Sequence, residues 1–223
     1  MPKPITNYLL AGCLILMFLL AGLAHGPVHR LDLAIMRQMT EARAGAPTSV
    51  QAAEILTTLG SAAFTLPVAA VAAILLLRRR QSIRALALVV TVLGERALVH
   101  GLKDWIGRPR PADGVYSIDS MAFPSGHAAN SMTVYLAIAI LVAPPAYRRQ
   151  LVAAAVMLSC AIGLTRIFLG VHWPSDVIGG WALGLATVLV AVAATRRSGA
   201  LTVEAKHEIV GRHGNTTRED EAS

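Results

Sequence analysis

The chain has 223 residues, of which 55% are hydrophobic and only 15% are charged, and its mean hydropathy is +0.57. Soluble domains carry about a quarter charged residues, so this composition excludes an ordinary soluble protein. The formal net charge of +7 does not indicate nucleic-acid binding, because the arginines lie in short clusters between apolar runs without an aromatic-studded basic face. Cys13 and Cys160 both lie inside apolar runs, which favours neither a disulfide nor a metal site.

Stretches without charges recur along the chain, and each approaches the ~20 residues that cross a bilayer core. We therefore predict an all-α fold, a polytopic membrane bundle of six transmembrane helices. One membrane domain, residues 1–198, accounts for all of them, and residues 199–223 are predicted to form a disordered cytoplasmic tail because apolar content falls and charges mix there. The predicted spans are residues 7–24, 62–77, 83–102, 127–143, 151–170 and 177–195.

The first apolar run has two interpretations. Lys3 precedes it, and Gly22-Leu-Ala24 has the small residues of a signal-peptide cleavage site. The run is longer than a usual signal-peptide core, so an uncleaved span is favoured. The second span is short and contains Pro67, which neighbouring helices can accommodate, and a partly apolar lead-in from Val50 lengthens it.

Two further segments leave alternatives open. Residues 28–44 have partial helical periodicity, which predicts an amphipathic helix that either rests on the outer leaflet or packs against the bundle. The third span carries Glu95 and Arg96 near its middle, where charges are costly and are expected to face the bundle interior or each other. They form either a structural pair or a support beneath the functional site.

Arginine clusters predict the orientation. The clusters at 78–80, 148–149 and 196–197 alternate with the other loops and so share one side, which the positive-inside rule makes cytoplasmic. The loop 103–126 then lies outside, which in a bacterium is the periplasm, and both termini are cytoplasmic. That outer loop nevertheless contains three cations, which the positive-inside rule does not predict: Lys103, Arg108 and Arg110. Their presence indicates a function other than setting the membrane topology.

Three short motifs at the outer ends of the predicted spans contain the candidate functional residues. Lys103 and the Pro-flanked Arg110 supply a point charge and a planar fork that suit phosphate oxygens, while the role of Arg108 stays open. Pro124-Ser125-Gly126-His127 precedes the fourth span, where Ser125 is a good N-cap and the free amides of a helix start bind anions. His127 in that first turn is suited to act as a general acid.

The third motif is the most specific. Arg166 ends the fifth span, His172 follows, and Pro174 is well placed as the first residue of the next helix, which puts Asp176 in its opening turn. A carboxylate bonded to one imidazole nitrogen leaves the other free as a nucleophile and stabilises the cation formed on attack. The other five histidines lack such neighbours and are interpreted as structural or solvated.

In order and spacing, these motifs resemble the tripartite signature of the type 2 phosphatidic acid phosphatase and vanadium haloperoxidase superfamily, from about Leu31 to Thr195. The resemblance implies that His172 forms a phosphohistidine, that Asp176 orients it, and that His127 protonates the leaving group and then activates water. It also implies a site without a metal or other cofactor. The phosphate ligands that it implies are Lys103, Arg110, Arg166, Ser125 and Gly126. One departure is Thr165, where the family usually has serine; threonine keeps the hydroxyl.

The predicted function is therefore that of a membrane phosphatase acting on a lipid phosphate or diphosphate. Undecaprenyl diphosphate, phosphatidylglycerol phosphate, phosphatidic acid and lipid A phosphates all stay open, with undecaprenyl diphosphate or a broad range of lipids favoured. Three alternatives remain: a haloperoxidase holding vanadate, which the membrane setting disfavours; a lipid phosphotransferase; and a transporter, which needs a midplane site that the apolar spans do not offer. The oligomeric state is not predicted.

Overall fold

The computed structural model describes residues 3–23 and 26–195, and every regular element in those ranges is a helix. The predicted tail at 199–223 and the predicted cleavage site, which includes Ala24, extend outside the described residues. The helices are α1 Lys3–Leu23, α2 Pro27–Ala44, α3 Pro47–Thr58, α4 Ala62–Arg78, α5 Ser82–Ile106, α6 Gly126–Leu141, α7 Arg148–Phe168 and α8 Pro174–Thr195.

Four stretches of the described chain are long and apolar enough to cross a membrane: Pro47–Arg78, α5, α7 and α8. The first combines α3 and α4 across the turn at residues 59–61, which matches the lead-in predicted from Val50. The apolar segments Thr6–Gly22 and Gly126–Leu141 are shorter. At 1.5 Å per residue, α6 is about 24 Å long, less than the ~30 Å of a hydrocarbon core. The all-helical membrane architecture is confirmed, and a count of six spans stays a prediction.

The outer faces of the long helices are apolar. Large side chains such as Val71 on α4, Leu86 on α5 and Met157 on α7 are more than half exposed. In water, a continuous apolar exterior of this kind promotes association, whereas in a bilayer it contacts lipid tails at no cost. The exposed faces are thus consistent with a membrane protein whose polar groups are kept inside.

The centre of the bundle is α6, of which most residues are buried against α4, α5, α7 and α8. Small side chains permit this close packing, as is common between membrane helices. A Cβ atom at Gly184 of α8 would lie 2.8 Å from the carbonyl oxygen of Ala129 on α6. Pro67 is accommodated inside α4, as predicted.

Helix α2 packs against the bundle, so the structure favours that alternative for residues 28–44 over a helix resting on the leaflet surface. Met36 is buried in a cluster with residues of α6, α7 and α8, and Asp32 is only 2% exposed. At the end of α2, the Arg43 guanidinium donates to the carbonyl oxygens of Phe168 at 2.7 Å and Asp113 at 2.9 Å. These contacts fix α2 beside the ends of α7 and the loop between α5 and α6.

Glu95 faces the bundle interior and is completely buried, as its position predicts. Neither of its carboxylate oxygens has a hydrogen-bond partner among the described residues. Arg96, the next residue, is only partly buried, because adjacent positions on a helix point about 100° apart. The two side chains therefore form no hydrogen-bonded ion pair, although the charge of Arg96 lies within electrostatic range of Glu95.

Candidate active site

The three motifs meet at one end of the bundle. Gly107 in a left-handed conformation (φ 62°) ends α5 just after Lys103, and its lack of a Cβ makes that conformation possible at no steric cost. The loop 107–125 then crosses the bundle end and delivers Ser125 to the start of α6. The backbone amide of Ser125 donates to the carbonyl oxygen of Asp176 at 2.9 Å, which joins the starts of α6 and α8.

His172 lies between Asp176 and Arg110. Its Nδ1 is 3.4 Å from Asp176 Oδ2, and its Nε2 is 3.0 Å from a terminal nitrogen of Arg110. A guanidinium only donates, so Nε2 accepts and the imidazole proton belongs on Nδ1, facing the carboxylate. This tautomer leaves the Nε2 lone pair directed toward the cationic side of the site.

The surroundings of His172 keep it neutral. The ring is 2% exposed, and burial lowers the pKa of His172 well below its ordinary value. The positive charges of Arg110 and Lys103 lower that pKa further. The His172 imidazole is therefore held in its neutral form, in which Nε2 keeps a lone pair.

Arg110 is held by backbone carbonyls as well as by its flanking prolines. Its Nε donates to the Ser120 carbonyl oxygen at 2.6 Å, and one terminal nitrogen donates to the Val171 carbonyl oxygen at 2.6 Å. Burial lowers the pKa of Arg110 to about 10, so the guanidinium still carries its charge at neutral pH. It is placed to meet an anion beside the His172 ring.

Arg166 and Lys103 complete the cationic lining. One terminal nitrogen of Arg166 donates to Tyr116 Oη at 2.7 Å and to Thr57 Oγ1 at 3.0 Å, and the guanidinium carbon lies 5.8 Å from the centre of the Tyr116 ring. The buried Nε of Arg166 has no hydrogen-bond partner among the described residues. Lys103 Nζ donates to the carbonyl oxygen of Met121.

The start of α6 offers donors without partners. Ser125 occupies the N-cap position, but its hydroxyl makes no capping hydrogen bond, and this buried group has no partner among the described residues. The first amides of any helix also lack intrahelical acceptors. His127 follows in the first turn, within electrostatic range of His172 and Arg166. Together these groups form a site for an anion beside two imidazoles.

The family model described as the PAP2 superfamily matches residues 84–200, just over half of the 223 residues. This chain belongs to the PAP2 superfamily. The resemblance drawn from the three motifs is thereby confirmed, and the matched range contains all three.

Relatives of this PAP2 protein are named as lipid phosphatases. Phosphatidylglycerophosphatase B of Bacillus subtilis (strain 168) is 32% identical over 137 residues, which are 58% of this chain and 67% of that protein. Lipid A 1-phosphatase of Rhizobium etli is 37% identical over 108 residues, 44% of each chain. The crystal structure of the transmembrane PAP2 type phosphatidylglycerolphosphate phosphatase from Bacillus subtilis has a TM-score of 0.79 at 27% identity, and covers 85% of this chain and 97% of that chain.

Thr165, the departure from the usual PAP2 serine, does not supply a donor to the site. Its hydroxyl donates to the Ile162 carbonyl oxygen of its own helix at 2.6 Å. The helix backbone thus accepts the one proton of this hydroxyl, and a contact between Thr165 and phosphate stays a prediction.

Two partners of the PAP2 motif residues had no signal in the sequence. Thr57 lies on α3 and Tyr116 in the loop 107–125, and each holds Arg166 from a different part of the chain. Neither belongs to a local pattern around a motif, so only the tertiary contact identifies them. Arg108, whose role the sequence leaves open, donates to Asp176 Oδ1 at 2.5 Å.

Gly180 of α8 lets the start of α6 lie against α8. A Cβ atom there would lie 2.5 Å from the Ser125 carbonyl oxygen, which is backbone and cannot move aside alone. Gly180→Ala is expected to lower kcat about 10- to 100-fold, because a shift of the Ser125–His127 turn by ~1 Å misplaces the reacting groups. Phosphate release by the purified variant measures this effect.

The matched control for this substitution is Gly94→Ala on α5, since nothing lies within 4 Å of a Cβ at Gly94. Both changes favour the helix by about 1 kcal/mol. What separates them is the set of close contacts of a Cβ at Gly180 with Ser125, Ala128 and Ala129, all at the start of α6. Equal activity of the two variants would show that the packing of α8 on the turn does not set the geometry of the site.

Proposed function

We propose that this protein is an integral membrane phosphatase that hydrolyses a lipid phosphate or diphosphate through a phosphohistidine intermediate. The observation that carries the proposal is the placement of His172, with Nδ1 toward Asp176 and Nε2 toward Arg110, at a bundle end that also holds Lys103 and Arg166. An anion-binding lining beside a neutral, oriented imidazole supports transfer of a phosphoryl group to nitrogen.

In the first step, the phosphate oxygens displace the contact between Arg110 and Nε2 and bind the cationic lining and the amides at the start of α6. Burial and the positive charges of Arg166 and Arg110 disfavour a proton on His127 before phosphate binds. The negative charge of the bound phosphate offsets them, so His127 takes up its proton as the substrate binds. Nε2 of His172 then attacks phosphorus, the P–O bond to the lipid breaks, and His127 gives that proton to the departing oxygen. Asp176 stabilises the imidazolium that results. The equatorial oxygens carry the charge of the transition state, which is where Arg110 and Arg166 act.

In the second step, His127 accepts a proton from water as the water oxygen attacks the phosphohistidine. The P–N bond breaks, inorganic phosphate leaves, and His172 regains its neutral form. All charge stabilisation in this scheme comes from side chains and amides, so the reaction proceeds without a metal ion. Among the described residues, no group of three His, Cys, Asp or Glu side chains has the arrangement of a metal site.

The site's place in the bundle supports a lipid substrate on the outer face. The arginine clusters at 78–80 and 148–149 flank the opposite ends of α4, α5 and α7 from Lys103 and Arg166. By the positive-inside rule, that arginine-rich end is cytoplasmic and the active site is extracytoplasmic. A phosphate at headgroup level then reaches the site from the leaflet while its lipid tails stay among the apolar helix faces.

Phosphate release by the purified protein from four lipid classes tests both the hydrolysis and the substrate class. The panel is phosphatidylglycerol phosphate, undecaprenyl diphosphate, phosphatidic acid and lipid A phosphates, with phosphatidylglycerol phosphate placed first by the similarity to the Bacillus subtilis protein. We expect inorganic phosphate to be released from at least one class, with inhibition by vanadate and unchanged rates in EDTA. Transfer of the phosphoryl group to a second lipid, loss of activity in EDTA, or no release from any class contradicts the proposal.

A further inference from the structure

Four buried polar side chains form a continuous network behind Asp176. They are Asp32 on α2, Arg108 in the loop 107–125, and Ser175 and Asp176 in the first turn of α8, and each is at most 2% exposed. Arg108 donates to Asp176 Oδ1 at 2.5 Å, to Ser175 Oγ at 2.7 Å and to Asp32 Oδ2 at 2.7 Å. Three separate elements of the chain thus meet around one guanidinium.

Asp32 also binds the start of α8 directly. Its Oδ1 accepts from the Ser175 amide at 3.0 Å, and its Oδ2 accepts from the Ser175 hydroxyl at 2.6 Å. Ser175 lies in the opening turn of α8, where amides have no intrahelical acceptor, so a carboxylate from α2 caps this helix from outside its own sequence. The helix start that carries Asp176 is thereby fixed to α2.

The two carboxylate oxygens of Asp176 have different hydrogen-bond partners. Oδ1 accepts from Arg108, whereas Oδ2 accepts from the Trp173 amide at 2.9 Å and faces His172 Nδ1 at 3.4 Å. A carboxylate bound in this way cannot rotate about its Cβ–Cγ bond without losing charge-assisted hydrogen bonds. Asp176 is therefore held in the orientation that keeps the His172 proton on Nδ1.

Charge balance makes Arg108 indispensable to this arrangement. Two buried carboxylates, Asp32 and Asp176, share the one guanidinium, and its central carbon also lies 5.5 Å from the centre of the Trp173 ring. Buried charges without a partner are strongly unfavourable, so the three groups are stable only together. Lys103 adds a further positive charge within electrostatic range of Asp176.

We propose that Asp32 and Arg108 are positioning residues for the phosphatase reaction, acting through Asp176 on the orientation and tautomer of His172. Through Asp32, helix α2 then contributes to the geometry of the active site. The inference rests on the proposed function, because its readout is lipid-phosphate hydrolysis. It assigns Asp32 and Arg108 no contact with substrate, so their removal is expected to change kcat and to leave KM almost unaltered.

Asp32→Asn tests the proposal, with kcat and KM measured on the lipid that wild type hydrolyses best. We expect kcat to fall about 10- to 100-fold, the range seen when outer partners of metal-binding histidines are removed, and KM to change less than about twofold. The matched control is Glu41→Gln, which removes one negative charge from an exposed position on the same helix and is expected to keep wild-type kinetics.

A double-mutant cycle separates positioning from general destabilisation. In an Asp176→Asn background, Asp32→Asn is expected to cause no further fall in kcat, since the group through which it acts is already altered. A full additional fall in that background, or wild-type kcat in Asp32→Asn alone, overturns the inference. If wild type itself releases no phosphate, it is the proposed function that has failed.

Ser175→Ala provides the test if Asp32→Asn does not yield folded protein. It removes the hydroxyl between Arg108 and Asp32 without leaving a buried charge unpaired. We expect a kcat several-fold below wild type at unchanged KM, again absent in the Asp176→Asn background. Kinetics equal to those of wild type in this folded variant contradict the proposal.

Discussion

His172→Ala is expected to reduce phosphate release from lipid phosphates by at least about 10⁴-fold, because removal of a nucleophile eliminates the covalent pathway and leaves only binding and charge stabilisation. The variant is expected to insert and fold normally, since the imidazole is held mainly by Arg110 and Asp176 and both retain other partners. The measurement is single-turnover and steady-state phosphate release by the purified protein.

The control for this variant is His100→Ala, which removes an exposed histidine from α5. Its activity is expected to equal that of wild type. A second readout follows the phosphoenzyme: labelled phosphate trapped on the protein under alkaline denaturing conditions is expected in wild type and absent in His172→Ala. Normal turnover in His172→Ala would refute the assignment of the nucleophile, whatever the effect of the other substitutions.

Arg166→Lys is the second large effect, with kcat expected to fall about 10²- to 10³-fold, the loss found when one preorganised donor to a transition-state oxygen is removed. Lysine keeps the charge but loses the planar fork, through which one terminal nitrogen binds Thr57 and Tyr116. The buried Nε of Arg166 has no partner among the described residues, and we expect it to donate to phosphate.

Steady-state kinetics on the preferred lipid measure this effect. Arg84→Lys makes the same exchange at an exposed arginine near the start of α5, at the opposite end of that helix from Lys103, and is expected to leave kcat unchanged. An Arg166→Lys enzyme within a few-fold of wild type would mean that charge alone, without bidentate geometry, suffices at this position.

Local sequence patterns specify some features of this fold and leave others undetermined. The long apolar stretches specify the helices, since a continuous apolar segment of about 20 residues satisfies its own backbone hydrogen bonds in a bilayer as a helix. The sequence does not specify how Glu95 and Arg96 are arranged, because periodicity places Glu95 inside the bundle but does not determine the direction of the Arg96 side chain. The same limit applies to α2, whose mixed pattern fits both a leaflet surface and a protein surface until its contacts are known.

For the site, the sequence by itself determined the candidate residues. His172, Asp176, His127 and the side chains predicted to bind phosphate all occur in motifs, and the spacing of those motifs supports their interpretation. Only the tertiary structure decided which groups hold them. Asp32 lies 143 positions from Ser175 and Thr57 lies 109 positions from Arg166, so no local pattern links them. Hydrogen bonds act over about 3 Å, and only the packing of α2 and α3 against the bundle end brings such distant residues within that range.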